Sequence, residues 1–83
     1  MRLDKYLKVS RIIKRRTVAN EAADEGRVTL NGRPAKPSAQ VEPGDIIEIR
    51  FGEHVLKARI ESTDEHVGKA GAALMYTVLE GQE

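Results

Sequence analysis

Seven cationic side chains fall within residues 1–17, where a single acid, Asp4, opposes them. They are Arg2, Lys5, Lys8, Arg11, Lys14, Arg15 and Arg16. Guanidinium and ammonium groups donate charge-assisted hydrogen bonds to phosphate oxygens, and arginine can present two parallel donors to one phosphate. The chemistry that this segment supports is therefore the binding of a polyanion.

The remainder of the chain reverses the charge. Residues 1–36 carry ten Lys and Arg residues against four acids, a net charge of +6, whereas residues 37–83 carry four against nine, a net charge of −5. The overall net charge of +1 conceals this separation. An asymmetry of this kind indicates a polyanionic partner such as nucleic acid.

The sequence does not group residues for catalysis or for metal binding. It contains no Cys, and its two His residues, His54 and His66, are isolated from one another and from any acid cluster. A metal site or a nucleophile with its base needs such groups together. We therefore predict a protein that is not an enzyme and that needs no cofactor and no metal.

The length of 83 residues predicts one domain with a small core, which aliphatic residues must supply because the chain has one Phe, two Tyr and no Trp. No apolar run approaches the ~18 residues that span a bilayer, and the start of the chain lacks the apolar segment of a signal peptide. We expect a cytosolic protein without a membrane partner.

Two short helices are predicted to position the cations. Leu3, Tyr6 and Leu7 recur at helical spacing and predict a helix from about residue 2 to 10 whose polar face is cationic. A second helix is predicted from about residue 15 to 25, ended by Gly26. Its expected buried stripe is Val18, Ala19, Ala22 and Ala23. The first residues of this helix would carry arginines at its positive end, where an anion is favoured.

Strand and turn signals fill the rest of the chain. Asn31-Gly32 predicts a two-residue hairpin turn between strands at 28–30 and 33–35, the second at a sheet edge because of Pro34. Pro43-Gly44-Asp45 predicts another turn, which Asp45 stabilises. Further strands are predicted at 46–51, 55–60 and 75–79, and a mobile loop at 62–73.

This order of features resembles the small RNA-binding domain named after ribosomal small-subunit protein four, also called the alpha-L motif. The resemblance covers residues 2–51 and rests on Arg2-Leu3-Asp4-Lys5-Tyr6-Leu7, Arg16, Ala19, Gly26, Val28, Asn31-Gly32, Pro37-Ser38, Val41, Pro43-Gly44-Asp45, Ile47 and Ile49. It implies an α+β fold, with two N-terminal helices packed on a small, mainly antiparallel sheet. We expect this domain to occupy residues 1–61, with a loop, a last strand and a polar tail of the same domain over residues 62–83.

The runs at 10–17 and 75–79 look like those of one short bacterial subgroup, the RqcP (YabO-like) proteins. This resemblance implies a non-catalytic factor that binds large ribosomal subunits obstructed by peptidyl-tRNA and contacts ribosomal RNA and tRNA. It also implies cooperation with the tailing factor RqcH, which adds C-terminal alanines to the stalled chain. We expect a monomer.

The resemblance and the chemistry together define the expected RNA-binding residues. The resemblance gives Arg2 and Arg16, their neighbours Lys5, Lys8, Arg11, Lys14 and Arg15, and the loop around Arg27, Asn31 and Lys36. Thr17 and Asn20 could add neutral contacts to an A-form RNA, which proteins read mainly through its phosphates and 2′-hydroxyls. Arg15 stands where this domain often has a serine cap.

Other roles compete at single residues. Asp4 is expected to serve the start of its helix or to pair with Lys8 four residues on. Asn31 is expected first as a turn residue, with an RNA contact second.

Other functions compete for the whole chain. The related heat-shock protein also binds obstructed large subunits, but usually has a longer basic C-terminal extension, whereas this sequence has an acidic end. The same domain is appended to pseudouridine synthases and tRNA synthetases, yet no catalytic constellation accompanies it here. A basic amphipathic helix can also be a plain solvated face or bind a membrane surface, and the acidic half could bind a protein.

Overall fold

A computed structural model of the chain describes residues 1–65 and 68–81. It contains three helices and five strands in these residues. In chain order they are α1 (Leu3–Val9), α2 (Arg16–Asp24), β1 (Val28–Leu30), β2 (Arg33–Pro34), β3 (Ile46–Phe51), β4 (His54–Ile60), α3 (Lys69–Ala72) and β5 (Tyr76–Gly81). No helix among these residues is both long enough and apolar enough to cross a bilayer. The predicted α+β class, with its two N-terminal helices, is confirmed.

Helix α1 turns its apolar face into the core, as its spacing predicts. Leu3, Tyr6 and Leu7 are fully buried, while Lys8 is exposed. Just after the helix, Arg11 has a left-handed backbone with φ of 63°. That conformation costs a non-glycine residue roughly 1–2 kcal/mol, so the end of α1 is held at some expense in stability.

Helix α2 confirms most of its predicted stripe and contradicts one position. Ala19, Ala22 and Ala23 are buried, but Val18 is 44% exposed. Successive residues of an α-helix are about 100° apart, which places Val18 roughly 90° from the centre of the alanine stripe. The prediction that Val18 is buried was wrong because the buried face is only as wide as the three alanines.

The five strands form one antiparallel sheet in the order β2-β1-β3-β4-β5. In the β1–β2 hairpin, Asn31 and Gly32 have φ of 52° and 85°, the paired positive values that a type I′ turn requires. Strand β2 lies at an edge, where Pro34 can be accommodated without a ladder hydrogen bond from its nitrogen. The predicted strands and hairpin are confirmed.

The second predicted turn also forms. Gly44 has φ of 96°, and the carboxylate of Asp45 accepts the N–H of Glu42 at 2.9 Å. Asp45 therefore stabilises the turn that leads into β3, as expected.

A single core joins the helices to one face of the sheet. Its fully buried members come from both long helices, from the sheet strands, from the segment between β2 and β3 and from the segment before β5. The largest are Tyr6, Leu3, Leu7, Ile47, Ile49, Ile60, Met75, Val28 and Val41. Tyr6 connects distant parts of the chain, since its hydroxyl donates a hydrogen bond of 2.8 Å to the carbonyl oxygen of Met75. Burial, with the nearby Tyr76 and Glu61, raises the pKa of Tyr6 far above its ordinary value of 10.0.

The expectation of a loop over 62–73 was wrong at Lys69–Ala72, which form α3. One turn of helix is too short to produce a periodic pattern, and its neighbouring glycines suggested a loop instead. Ala72 is 1% exposed, so this helical turn packs against the rest of the protein and does not extend into solvent. His66, Val67, Gln82 and Glu83 lie outside the described residues, as does the end of the predicted polar tail.

Candidate nucleic-acid interface

The carboxylate of Asp4 lies at the centre of the candidate interface, and its side chain is only 3% exposed. Arg2 donates to both of its oxygens, with Nε 3.2 Å from Oδ1 and Nη2 3.2 Å from Oδ2. Arg16 Nη2 lies 3.4 Å from Oδ1, and Asn20 Nδ2 lies 3.1 Å from Oδ2. The backbone N–H of Lys5 adds a bond of 2.8 Å to Oδ1. Two arginines from separate segments therefore meet at one acid.

Both arginines also face solvent. The side chains of Arg2 and Arg16 are 46% and 47% exposed, respectively. A guanidinium group has five N–H donors, and Arg2 directs those on Nε and Nη2 at Asp4. Each arginine can thus contact Asp4 and an external anion at the same time. We call Arg2, Asp4, Arg16 and Asn20 the arginine cluster.

The hydrogen bonds of Asp4 determine its charge state. Burial acts to raise its pKa, but the bonds from Asn20, from Arg2 and from the Lys5 N–H, together with the charge of Arg16, outweigh burial. The pKa of Asp4 is therefore lowered below its ordinary value of 3.8. Asp4 is an anion at neutral pH, and it partly neutralises the arginines that it holds.

The loop after β2 fixes the start of α1 and with it Arg2. The N–H of Leu3 donates to the carbonyl of Ala39 at 2.8 Å, and the N–H of Asp4 donates to the carbonyl of Pro37 at 3.1 Å. A helix start normally leaves such N–H groups without a partner. Since the loop takes them, side chains rather than backbone amides are what α1 offers to a phosphate.

The start of α2 differs. Arg15 is its N-cap in an extended conformation and makes no side-chain cap hydrogen bond, as expected for an arginine in place of serine. The first N–H groups of a helix have no partner within it and carry the positive end of its dipole. Beside them lies a shallow depression lined by Asp4, Arg16, Thr17, Asn20 and Glu21. Arg16 and Thr17 in its lining suit a phosphate, whereas Asp4 and Glu21 in the same lining oppose one.

The connection between α1 and α2 displays further cations. Ser10 and Ile13 are 1% and 6% exposed and anchor it, and the N–H of Ile13 donates to the carbonyl of Leu7 at 3.0 Å. The predicted cations that this anchoring leaves exposed on the helix end and the connection are Lys8, Arg11, Lys14 and Arg15. We call these four cations and the arginine cluster, which together lie on residues 2–20, the basic surface.

Some predicted site residues are engaged elsewhere. Lys5 pairs through Nζ with Glu65 Oε1 at 2.5 Å, so its charge is already partly balanced. Helix α2 rises by about 12 Å from Arg16 to its last residue, Asp24. Arg27 lies beyond that end and pairs with Glu25. The side chain of Lys5 therefore binds Glu65 rather than Asp4, although its backbone N–H belongs to the Asp4 contacts. Arg27 lies outside the arginine cluster.

The hairpin positions have structural partners. The amide of Asn31 donates from Nδ2 to Asp45 Oδ1 at 3.2 Å and accepts the N–H of Ile46 at 2.9 Å. This confirms the turn role of Asn31, and its RNA contact stays a prediction. Lys36 is exposed and belongs to the loop that fixes α1, so it borders the interface.

Sequence reasoning missed the central role of Asp4. One expected role is confirmed, since Asp4 lies in the first turn of α1 and accepts the N–H of Lys5. The pairing with Lys8 was the wrong alternative, because the carboxylate points into the angle between the helices and meets Arg2, Arg16 and Asn20. The tertiary contact between α1 and α2 decides this, and no spacing within either helix reveals it.

Known proteins share this arrangement of helices and sheet. The sequence profile of the S4 domain matches residues 1–47. The chain belongs to the S4 domain family. Every predicted RNA-binding residue falls inside the matched S4 domain, and the later strands extend it beyond the match.

Relatives place the chain more closely. A protein of Listeria innocua is 55% identical over 80 residues, covering 96% of this chain and 87% of the relative. A protein of Bacillus subtilis is 48% identical over 83 residues, covering 100% and 96%. Both relatives are named RQC P-site tRNA stabilizing factor. The resemblance to the RqcP subgroup is therefore confirmed.

A solved S4 domain structure shows the same fold. The heat shock protein 15 of Vibrio cholerae, described as trimeric, superimposes with a TM-score of 0.86 at 35% identity. The alignment covers 94% of this chain and 80% of the other. The α+β alpha-L fold that the sequence predicts is confirmed by this match.

Proposed function

We propose that this S4 domain protein binds large ribosomal subunits obstructed by peptidyl-tRNA, steadies the tRNA there, and supports C-terminal alanine tailing by an RqcH-like factor. The arginine cluster carries the proposal, since it presents two partly exposed guanidinium groups beside the start of α2, whose N-cap makes no side-chain hydrogen bond. The names of the two relatives refer to a P-site tRNA and support the same proposal.

The chemistry suits double-helical RNA. Proteins recognise A-form RNA by its shape and by contacts to phosphates and 2′-hydroxyls. Arg2 and Arg16 would contact phosphates, and the exposed Thr17 could donate to or accept from a 2′-hydroxyl. Base stacking within residues 2–17 has little support, because Tyr6, the one aromatic residue there, is fully buried and fixed by its bond to Met75. We therefore propose recognition of ribosomal RNA and tRNA by shape and charge.

The proposed role is binding without catalysis. A catalytic site needs a nucleophile, a base and a stabilising group in mutual reach, and the arginine cluster offers donors for an anion instead. In the part of the chain that the structure describes, no three acids or histidines come together as a candidate metal site. A cytosolic location and a monomeric state belong to the same proposal.

The heat-shock protein remains the second candidate, because the Vibrio cholerae structure superimposes so well. Its sequence identity of 35% is lower than the 48% and 55% of the tRNA stabilizing factors. Assembly offers a further distinction, because the heat-shock protein is described as a trimer whereas we propose a monomer for this chain. Light scattering of this chain in solution would show whether it is a monomer or a trimer.

Co-sedimentation tests the proposed function. Tagged wild-type protein and the variant Arg2→Ala/Arg16→Ala are expressed in cells, and lysates are run on sucrose gradients with mass spectrometry of each fraction. We expect wild type with free large subunits, peptidyl-tRNA and the tailing factor, and the variant at the top.

The control variant is Arg50→Ala/Arg59→Ala. It removes the same amount of positive charge from two exposed residues. Their strand neighbours Ile49, Ala58 and Ile60 are buried, so the two arginines lie on the sheet face away from the helices. The control should travel with the subunits. Wild type at the top of the gradient, or equal loss in both variants, would contradict the proposal.

A further inference from the structure

We infer that Asp4 is a positioning residue for RNA binding: its buried carboxylate holds Arg2 and Arg16 so that their unused N–H donors face the RNA. This inference rests on the proposed function. It assigns a role to an acid inside a cationic surface, where charge alone would make an acid unfavourable for binding a polyanion.

The first support is the geometry of the bonds. Arg2 pairs with Asp4 in a two-bond arrangement, Nε to Oδ1 and Nη2 to Oδ2, both at 3.2 Å. This arrangement fixes the plane of the guanidinium group as well as its position. Its Nη1 edge is left to point away from the carboxylate. Asp4 thereby decides which edge of Arg2 a phosphate meets.

The second support is that Asp4 joins separate segments. Arg2 precedes α1, Arg16 is the first residue of α2, and Asn20 lies one turn further along α2. All three donate to the same carboxylate. The relative positions of the two arginines are thus set by one side chain that is 3% exposed, rather than by solvent-exposed contacts that could rearrange.

The third support is the entropy that an arginine side chain loses when it binds a phosphate. A free arginine has many rotamers, and binding a phosphate immobilises it at the expense of affinity. In the arginine cluster, much of that ordering has happened before RNA arrives. Removing the carboxylate should therefore weaken binding even though it makes the surface more positive.

The sign of this effect provides the test. Asp4→Asn and Asp24→Asn each remove one negative charge, and Asp24 is an exposed residue at the far end of α2. Simple attraction to a polyanion predicts that both variants bind at least as tightly as wild type. The positioning role predicts that Asp4→Asn binds about tenfold more weakly while Asp24→Asn does not.

The experiment measures the affinity of each variant for purified large ribosomal subunits that carry peptidyl-tRNA, at fixed salt, after circular dichroism has shown that each variant is folded at the assay temperature. In the Arg2→Ala/Arg16→Ala background, Asp4→Asn should cause no further loss, because its effect passes through the arginines. Asp4→Asn binding as tightly as Asp24→Asn overturns the inference alone. Failure of wild type to bind overturns the proposed function and the inference with it.

A second measurement does not depend on the variant's folding. Nitrogen relaxation of the arginine Nε–H groups in the wild-type protein reports side-chain order on the picosecond to nanosecond timescale. We expect Arg2 and Arg16 to be more ordered than Arg15, whose side chain is exposed. Equal mobility of all three would overturn the inference even if Asp4→Asn did not fold.

Discussion

The backbone conformation of Arg11 lowers the stability of the folded protein. Its left-handed backbone, with φ of 63°, lies just beyond α1, where glycine is usually preferred. Arg11→Gly should stabilise the fold by about 0.5–1 kcal/mol, after allowing for the greater freedom of glycine in the unfolded chain. The same change should weaken subunit binding, because it removes a cation from the basic surface.

Urea denaturation and subunit binding together check this prediction, and Arg11→Ala is the matched control. Alanine keeps the backbone strain and loses the charge, so it should weaken binding without the gain in stability. A destabilised Arg11→Gly protein would mean that the arginine side chain supports the fold.

Asp4 predicts how stability responds to acid. Its folded-state pKa is below the ordinary value of 3.8, so its contribution is present above pH 3.8 and is lost as the pH falls through the folded-state pKa. Thermal unfolding of wild type and of Asp4→Asn should therefore differ at neutral pH and converge at low pH. A difference that stays constant across this range would show that the charge of Asp4 adds no stability.

Among the elements, α1 depends on burial rather than on its own length. Seven residues are too few for a helix to persist alone in water, so its packing must hold it. Leu7 is fully buried, and Leu7→Ala should destabilise the protein by about 2–5 kcal/mol. Val18→Ala on the exposed side of α2 should change stability by less than about 0.5 kcal/mol.

Chemical denaturation distinguishes the two variants. Similar midpoints for Leu7→Ala and Val18→Ala would mean that α1 is not anchored through its apolar face. The comparison also separates folding from binding, since neither residue belongs to the predicted RNA-binding set.

The segment after β4 lies beyond the S4 match, which covers residues 1–47, yet it packs on the matched part. The Tyr6 hydroxyl donates to Met75, and β5 pairs with β4 along its length. We predict that residues 1–61 and 62–83 form one unit, so a fragment of residues 1–61 should be unfolded where the full chain is folded. A fragment with the full chain's circular dichroism spectrum and unfolding midpoint would contradict this.

The elements that sequence predicts correctly are those with strong local signals. These signals act within a few residues: the Asn31-Gly32 turn, the glycine that ends α2, and the alternation of buried and less buried side chains in β3. The burial of Val18 and the loop in place of α3 were predicted wrongly. The width of the buried face of α2, and the formation of a single helical turn at α3, both depend on tertiary packing. The basic surface could be predicted from composition, but its centre at Asp4 could not, because the contact forms only when α1 and α2 meet.

At the scale of the whole molecule, charge separation governs binding. Each phosphate neutralised by a cation releases counterions, so affinity for RNA falls as salt rises. Arg2→Ala/Arg16→Ala should lower the slope of log affinity against log salt by roughly two, about one for each lost phosphate contact. Arg50→Ala/Arg59→Ala should leave that slope unchanged.

Titration of wild type and both variants against purified large subunits that carry peptidyl-tRNA, from about 50 to about 200 mM salt, gives the slopes. Equal slopes for wild type and Arg2→Ala/Arg16→Ala would show that neither arginine contacts a phosphate. In that case the remaining cations of the basic surface would have to carry the electrostatic attraction.

The bond between Tyr6 and Met75 also orders events during the protein's own synthesis. Translation produces the cationic segment first, yet the residue that closes the core over α1 emerges almost seventy positions later. Before Met75 is made, its bond with Tyr6 cannot form, so we expect the arginines to lack their folded arrangement. We therefore expect a product truncated before Met75 to keep the cations and to lack their arrangement.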